Sequence, residues 1–237
     1  MGLFRIIRDW MNEMFRGRLF QFKKVRLLFA WLGGALLFLN SNVDDQGFRM
    51  GVPFILAGEF VRIWASGYFE KKGRKLATCG PFAHVRNPLY IGNFFLGFGF
   101  VLISKNLLNL VLFLIGFIIL YRGVIQREER ELTETFGEDY IHYAGEVPSL
   151  IPRWTPYASR EPTHFQWSLL IRHREHQALL GIVVLIVSFY LWEGVVVSKG
   201  FHLKQEIALA IGAIAVAGLL ADRSFELFKK TRKRLAE

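Results

Sequence analysis

Cysteine is almost missing from this chain: Cys79 is the single one among 237 residues. One thiol excludes an internal disulfide and makes a thiolate metal site implausible. The chain also lacks the glycine-rich loop of a dinucleotide-binding fold, a His-Glu-x-x-His zinc motif, and a serine nucleophile with a matching base. His173 and His176 lie three residues apart, but Arg172 and Arg174 flank them, so we interpret them as a polar interfacial turn and expect no metal.

Acidic residues are scarce relative to basic ones, with 20 Asp and Glu against 30 Lys and Arg and a net charge of +10. No RNA- or DNA-binding motif accompanies this charge, so we expect no nucleic-acid partner. The basic residues instead cluster between apolar runs, which is typical of membrane topology signals and of attraction to anionic lipid. Membrane lipids are therefore expected partners of the chain.

Apolar residues, by contrast, are abundant: 52% of the chain is hydrophobic and 23 residues are phenylalanine. They form runs somewhat shorter than the roughly 20 residues that a helix needs to cross a bilayer, and flanking aromatic or basic residues can extend them. The sequence predicts an all-α fold, a polytopic bundle of about six transmembrane helices. The six predicted spans are Val25–Leu39, Met50–Trp64, Leu89–Ile103, Leu107–Tyr121, Ala178–Val197 and Ile207–Ala221.

The distribution of Lys and Arg predicts the orientation of these spans. Basic residues concentrate before the first span, after the second span and in the C-terminal tail. Since positive charge marks the cytoplasmic side, we expect both termini to be cytoplasmic. Without an apparent organelle signal, a bacterial inner membrane is the expected location, and the endoplasmic reticulum is the alternative. Apolar residues among the first basic ones recur at helical spacing, which predicts an amphipathic interfacial helix or, almost equally, a topogenic leader.

Changes in composition divide the chain into three predicted parts. Residues 1–24 form the basic amphipathic segment, residues 25–152 form a four-span core, and residues 153–237 hold a cytoplasmic segment, two further spans and a basic tail. Ala213, Ala217 and Ala221 recur every four residues in the last span, a spacing that allows close helix packing in lipid. The partner of that face, and hence the oligomeric state, stays open.

Two polar blocks flank the hairpin formed by the third and fourth spans. The first runs Gly80-Pro81-Phe82-Ala83-His84-Val85-Arg86-Asn87-Pro88-Leu89-Tyr90-Ile91-Gly92. Gly80-Pro81 indicates a turn, and Pro88 suits the first turn of a helix. Arg86 and Asn87 should therefore stand at the mouth of the third span, where the helix dipole and the guanidinium favour an anionic group such as a carboxylate.

The second block begins as the fourth span ends. It holds Glu128-Glu129-Arg130-Glu131-Leu132, then Phe136-Gly137-Glu138-Asp139-Tyr140, then Val147-Pro148 and Pro152. Because a hairpin returns to its starting side, the two blocks should meet at one membrane surface. Arginine, two glutamates, asparagine and several tyrosines around one pocket would suit a zwitterion with an aromatic base.

This ordered set of motifs resembles the isoprenylcysteine carboxyl methyltransferase and phospholipid methyltransferase family over about residues 60–152, including Arg62-Ile63-Trp64-Ala65. The resemblance implies an integral-membrane enzyme that uses S-adenosylmethionine, held at the cytoplasmic ends of the helices without a Rossmann domain. One position departs from the family pattern, in which Arg-His-Pro is usual: here Asn87 replaces the histidine. Asparagine cannot titrate, which puts a proton-transfer role at that position in doubt.

The resemblance, together with the two blocks, implies the site residues. Arg86, Arg122 and Glu129 are the candidate catalytic residues, and Glu59, Arg62 and Arg122 are candidates for binding the acceptor. Glu59 and Arg62 share a helix face. Whether they form a structural ion pair or contact the substrate stays open. The predicted cofactor-binding residues are Gly80, Pro81, His84, Val85, Arg86, Asn87, Pro88, Tyr90, Gly92, Glu128, Glu129 and Tyr140.

Methyl transfer from a sulfonium is an in-line displacement, so the protein mainly aligns donor and acceptor and excludes water. A carboxylate or thiolate acceptor needs no general base, whereas an ammonium acceptor must first lose a proton. The residues therefore favour a lipophilic acceptor with an isoprenylcysteine-type carboxylate, ahead of phospholipid N-methylation or thiol S-methylation. A sterol-reductase-like enzyme that uses NADPH and a non-catalytic lipid-binding scaffold are the competing interpretations.

Overall fold

The computed structural model describes residues 33–34, 37–70, 75–158 and 163–192, together with 210, 212–214, 216–218 and 220. Within these residues every regular element is a helix, which confirms the predicted all-α class. A 3₁₀ turn, Gly80–Ala83, precedes the second helix. The α-helices are α1 (Asp45–Ser66), α2 (Pro88–Ser104), α3 (Leu107–Phe136), α4 (Glu138–Glu146), α5 (Trp167–His173) and α6 (Glu175–Trp192).

Local chemistry explains where these helices begin and end. Pro88 occupies the first turn of α2, where its missing N–H costs nothing. Lys105 adopts the left-handed conformation (φ 46°) after α2, and Asn106 then caps α3 by accepting hydrogen bonds from two backbone N–H groups. Gly137, also at positive φ (53°), separates α3 from α4. The gap between the third and fourth predicted spans therefore coincides with the end of α2 and the start of α3.

Glycines let α1 and α2 approach closely. Gly51 and Gly58 of α1 face Gly99 and Gly92 of α2, so the pairs are spaced seven residues apart on both helices. A Cβ added at Gly58 would lie 2.7 Å from the carbonyl oxygen of Gly92, and one at Gly51 would lie 2.3 Å from that of Gly99. Small residues at such an interface permit backbone contact within a lipid-embedded bundle. The sequence analysis singled out the alanines of the last span and missed this seam.

The glycine seam makes Gly58→Leu a strongly destabilising substitution. Leucine has no space between the backbones, so α1 and α2 must separate, at a cost of about 1–3 kcal/mol or more. Gly116→Leu is the matched control, because nothing lies within 4 Å of a Cβ built at Gly116 in α3. Thermal unfolding of the purified variants in detergent should show a lower midpoint for Gly58→Leu alone. Equal midpoints would contradict the close approach of α1 and α2.

The core of the bundle lies where α1, α2 and α6 meet. Ile55 of α1, Phe100 and Ile103 of α2, and Phe189 of α6 are all buried there. The rings of Phe100 and Phe189 stack with centroids 6.0 Å apart. Residues of the predicted C-terminal part thus pack against the core segment, although the three-part division itself stays a prediction.

Two described helices, α3 and α6, are long and apolar enough to cross a membrane, and α2 is a shorter apolar helix. Large apolar side chains on α3 point outward, including Leu107, Ile115 and Ile118, as expected for a lipid-facing surface. The length, composition and exposed apolar side chains of these helices indicate a membrane protein. The count of about six spans stays a prediction, because α1 carries four charged residues and many residues of the first and last predicted spans lie outside the described part of the chain.

Candidate functional site

An ion pair joins the two polar blocks. Arg86 precedes α2 and Glu129 lies in the second half of α3, and an Arg86 Nη2 atom stands 3.1 Å from Glu129 Oε1. Glu129 is 22 residues beyond the start of α3 at Leu107, or about 33 Å along the helix axis. This places the pair just past a hydrocarbon core that is roughly 30 Å thick. The blocks therefore meet at one end of the hairpin, as its geometry predicted.

Further contacts fix both partners of the pair. Arg86 donates from Nη1 to the carbonyl oxygen of Ala144 in α4, at 3.0 Å. The backbone N–H of Arg86 donates to the carbonyl oxygen of Pro148, at 2.9 Å. Ser149 donates from its hydroxyl to Glu129 Oε1, at 2.9 Å. The segment after α4 thus closes over the pair and holds it in place.

Asn87 belongs to the same cluster. Its side chain is 9% exposed and does not cap α2, although the residue occupies the N-cap position. Instead Nδ2 faces Glu129 Oε1 at 3.3 Å, the Ser149 carbonyl oxygen at 3.1 Å and the Ser149 hydroxyl at 3.0 Å. An amide is therefore suited to this position as a neutral donor that stays the same at any physiological pH.

Two tyrosines of α4 face the cluster with different roles. Tyr143 donates from its hydroxyl to the carbonyl oxygen of Phe82 at 2.7 Å, which ties α4 to the 3₁₀ turn. Tyr140 is 4% exposed, and its hydroxyl has no hydrogen-bond partner among the described residues. Burial, with a contribution from the Glu129 charge, raises the pKa of Tyr140 to about 12. The hydroxyl stays protonated at neutral pH and is available as a donor.

The predicted site residues between Gly80 and Val85 lie in the 3₁₀ turn or directly after it, just before Arg86. Gly80 adopts positive φ (59°), and a Cβ there would lie 2.5 Å from the Tyr68 ring, so glycine is required. Pro81 and Val85 are buried. His84 donates from Nδ1 to the carbonyl oxygen of Arg153 at 2.9 Å. These residues shape the loop, and their predicted role in cofactor binding stays a prediction.

An aromatic surface adjoins the acidic residues. Tyr90, in the first turn of α2, lies beside the Glu128 carboxylate. Its ring packs against Tyr121 of α3 with centroids 5.0 Å apart, and Tyr121 stacks on Phe117 at 4.1 Å. The structure therefore places carboxylates next to aromatic rings, as the predicted pocket requires.

Two predicted site residues lie away from the cluster. Gly92 faces α1, where a Cβ would lie 2.8 Å from the carbonyl oxygen of Gly58, so helix packing accounts for this glycine. Arg122 is exposed on α3, seven residues or about 10 Å along the helix from Glu129. Within the described residues it joins none of the hydrogen bonds or ion pairs of the cluster. The roles assigned to Gly92 and Arg122 stay predictions without support from these contacts.

Glu59 and Arg62 belong to a separate buried network. Arg62 Nη2 stands 2.9 Å from Glu175 Oε2 of α6, and Arg62 Nε stands 3.4 Å from Glu59 Oε2. Arg62 also donates to the amide oxygen of Asn93, and Ser66 donates to Glu175 Oε1 at 2.7 Å. The guanidinium thus connects α1, α2 and α6. The structure thus contains the ion pair between Glu59 and Arg62 and gives Arg62 further structural partners. Contact between Arg62 and an acceptor stays a prediction.

Sequence reasoning missed several members of these two clusters: Ser66, Asn93, Ser149, Glu175 and the carbonyl groups of Ala144 and Pro148. Ser149 lies inside the Val147–Pro152 motif, so its position was a signal that could have been used. Glu175 gave no signal, because an acidic residue in the first turn of a helix is ordinary.

The cluster suits the cofactor that the resemblance implies. Arg86 Nε and the Tyr140 hydroxyl are buried donors left without a partner among the described residues, and donors of this kind match a carboxylate. Glu128 and Glu129 match an ammonium group or ribose hydroxyls, and the Tyr90–Tyr121 surface matches a purine ring. No group of three metal-ligating side chains occurs in the described part of the chain.

Comparison with known proteins finds similarity to a methyltransferase family over part of the chain. Residues 54–139 match the family model "Phospholipid methyltransferase". The cobalt-zinc-cadmium resistance protein CzcN of Cupriavidus metallidurans is 28% identical over 174 residues, which cover 70% of this chain and 80% of that protein. The nickel-cobalt-cadmium resistance protein NccN of Alcaligenes xylosoxydans xylosoxydans is 28% identical over 131 residues, 55% of this chain and 56% of that protein.

A third relative has a name that states a reaction. The protein-S-isoprenylcysteine O-methyltransferase of Schizosaccharomyces pombe is 35% identical over 83 residues, 35% of each chain. No solved structure matches this chain. The resemblance to the isoprenylcysteine and phospholipid methyltransferase family is thereby confirmed over the segment that carries both Arg86 and Glu129.

Proposed function

We propose that this protein is a multi-pass membrane methyltransferase that uses S-adenosylmethionine and transfers its methyl group to a lipophilic acceptor at the cytoplasmic face. The observation that carries the proposal is the Arg86–Glu129 pair, at 3.1 Å, within the segment that matches the methyltransferase family. The pair unites the two polar blocks at one end of α2 and α3. A bacterial inner membrane is the proposed location, and the distribution of basic residues favours an orientation with the cluster at the cytoplasmic face.

The proposed role of the cluster is to bind and orient. Arg86 and the Tyr140 hydroxyl donate to the carboxylate of the cofactor, and Glu129 accepts from its amino group. Arg86 and Ser149 both contact Glu129 in the structure, so binding would exchange the Arg86–Glu129 and Ser149–Glu129 contacts for contacts to the ligand. Asn87 keeps a neutral donor directed at Glu129 throughout.

When bound, S-adenosylmethionine supplies an electrophilic methyl group on a sulfonium. The chain's own residues then have to align the acceptor and exclude water. The segment 147–149, which closes over Arg86 and Glu129 through its backbone and Ser149, is suited to water exclusion. No residue of the cluster is a histidine that could take a proton, so we favour an isoprenylcysteine-type carboxylate as acceptor over an amine.

Other acceptors within the same reaction class are alternatives. Phospholipid N-methylation agrees with the name of the matching family model. Thiol S-methylation, like methylation of a carboxylate, needs no general base. The names of the two metal-resistance relatives describe a resistance and not a reaction, so they leave the acceptor open. A reductase using NADPH and a non-catalytic scaffold remain as the alternatives outside the class.

Calorimetric titration of the detergent-purified protein tests the proposal. We expect S-adenosylmethionine and S-adenosylhomocysteine to bind with micromolar affinity, and NADPH to show no binding. Methyl-labelled cofactor should then be offered with farnesylcysteine, phosphatidylethanolamine or an alkyl thiol in nanodiscs, and label recovered on one of them identifies the acceptor atom. Binding of NADPH alone would support the reductase, and cofactor binding without transfer to any lipid would support the scaffold.

A further inference from the structure

A loop after α4 exposes apolar side chains next to the candidate site. This apolar loop, residues 150–154, holds Leu150, Ile151 and Trp154, which are 43%, 80% and 98% exposed. Large side chains with that exposure normally mark an interaction surface. The loop begins directly after Ser149, whose side chain contacts Asn87 and Glu129.

The apolar loop is held in position by its own hydrogen bonds. The backbone N–H of Arg153 donates to the carbonyl oxygen of His84, and the backbone N–H of Tyr157 donates to that of Ala83, at 2.9 and 2.8 Å. The Arg153 guanidinium donates to the carbonyl oxygen of Glu146 at 2.9 Å. Since both ends of the loop are fixed to the 3₁₀ turn and α4, the exposed apolar side chains belong to a defined backbone.

A second apolar surface lies on α5. Trp167 and Ile171, four residues apart and hence on one face of this helix, are each 73% exposed. Leu169, on another face, is 3% exposed and packs inward. Arg172 follows on the exposed side, with 59% of its side chain accessible. Helix α5 therefore has an exposed apolar face, a buried apolar face and a basic residue beside them. These features are typical of a helix that lies in a membrane interface.

Both surfaces lie at the level of a bilayer boundary. Ser149 contacts Asn87, the N-cap of the apolar helix α2, so the apolar loop starts where α2 starts. Helix α5 is joined through Arg174 to α6, one of the two helices long enough to span a membrane. The ends of α1 and α5 are also joined, because the backbone N–H of Gln166 donates to the carbonyl oxygen of Gly67 at 2.9 Å.

We propose that the apolar loop and the Trp167–Ile171 face are two interfacial anchors that insert into the headgroup region of a bilayer containing anionic lipid. Tryptophan and apolar residues beside arginine are the composition found at that depth. The anchors hold the Arg86–Glu129 cluster at the level of the lipid headgroups. A lipophilic molecule can then reach the cluster without leaving the bilayer.

The test measures the depth of single labelled cysteines in the full-length protein. In a Cys79→Ser background, Ile151→Cys, Ile171→Cys and the control Glu134→Cys are each labelled with an environment-sensitive fluorophore in phosphatidylcholine–phosphatidylglycerol nanodiscs. Glu134 is the matched control because it is exposed on α3 and lies one to two turns beyond Glu129, away from the span. The measurement needs no cofactor, so its outcome is separate from that of the proposed function.

We expect spin-labelled lipid to quench the labels at 151 and 171 several-fold more than the label at 134, and aqueous iodide to show the reverse order. Lowering the phosphatidylglycerol content should reduce the difference. Equal iodide access at all three positions would overturn the proposal. Shielding that depends on protein concentration would also overturn it and assign these surfaces to a protein contact.

Discussion

Replacing Glu129 with glutamine is expected to weaken S-adenosylmethionine binding by on the order of 10- to 100-fold, because hydrogen bonds to a charged group contribute about 1.5–3 kcal/mol. The substitution keeps the shape of the side chain and removes its charge. In the structure the Glu129 carboxylate pairs with Arg86 and accepts hydrogen bonds from Ser149 and Asn87. Calorimetric titration of the detergent-purified variant measures the effect directly.

Glu131→Gln provides the matched control for this prediction. Glu131 lies on the same helix and pairs with Arg127 at 3.4 Å, but its side chain is 64% exposed. Its loss should change the affinity by less than about twofold, since exposed ion pairs contribute little. If Glu129→Gln binds S-adenosylmethionine as tightly as Glu131→Gln does, the assignment of the pocket to this cluster is wrong. Thermal unfolding of both variants separates lost binding from lost folding.

Replacing Arg62 with methionine is expected to destabilise the fold by about 3–5 kcal/mol, the cost of leaving a buried charge without its partner. Glu59 and Glu175 are 5% and 6% exposed, and Arg62 is the cation that both contact among the described residues. Its removal leaves two carboxylates facing each other between α1 and α6. The midpoint of thermal unfolding in detergent, read by size-exclusion chromatography after heating, measures the effect.

A surface ion pair offers the comparison for Arg62. Arg172 contacts Glu70, and both side chains are more than half exposed, so Arg172→Met should cost less than about 1 kcal/mol. Arg62→Met combined with Glu175→Gln should recover part of the lost stability, because one of the two buried carboxylates becomes neutral. Equal unfolding midpoints for Arg62→Met and Arg172→Met would show that the buried network does not hold α6 to the core.

The buried network has a consequence for the proposed enzyme. Asn93, which accepts from Arg62, lies one helical turn beyond Tyr90 on α2. Glu175 fixes the same guanidinium from α6, a helix outside the segment that matches the family model. The C-terminal part of the chain therefore positions the helix that carries the first polar block.

Local sequence features are enough to predict the helices of the hairpin and the meeting of the two polar blocks. Apolar runs, Pro88, Asn106 and Gly137 act locally, through burial in lipid and through backbone conformation, so the bounds of α2, α3 and α4 follow from neighbouring residues. The encounter of Arg86 with Glu129 follows from the hairpin, since two antiparallel helices with apolar runs of similar length return the chain to its starting side. Only the pattern and the length of the apolar runs were needed for this.

The tertiary structure alone decided which partners complete each cluster. Arg62 and Glu175 are 113 positions apart, and no local pattern indicates that α6 packs beside α1. Gly92 is required where α1 and α2 touch, and Arg122 lies exposed at a distance from Glu129, while the predicted roles of both residues in binding stay predictions. Such contacts depend on how helices distant in the chain are rotated and packed against one another. That rotation results from the shapes of all the side chains at the interfaces, which a pattern of residue types along one helix does not contain.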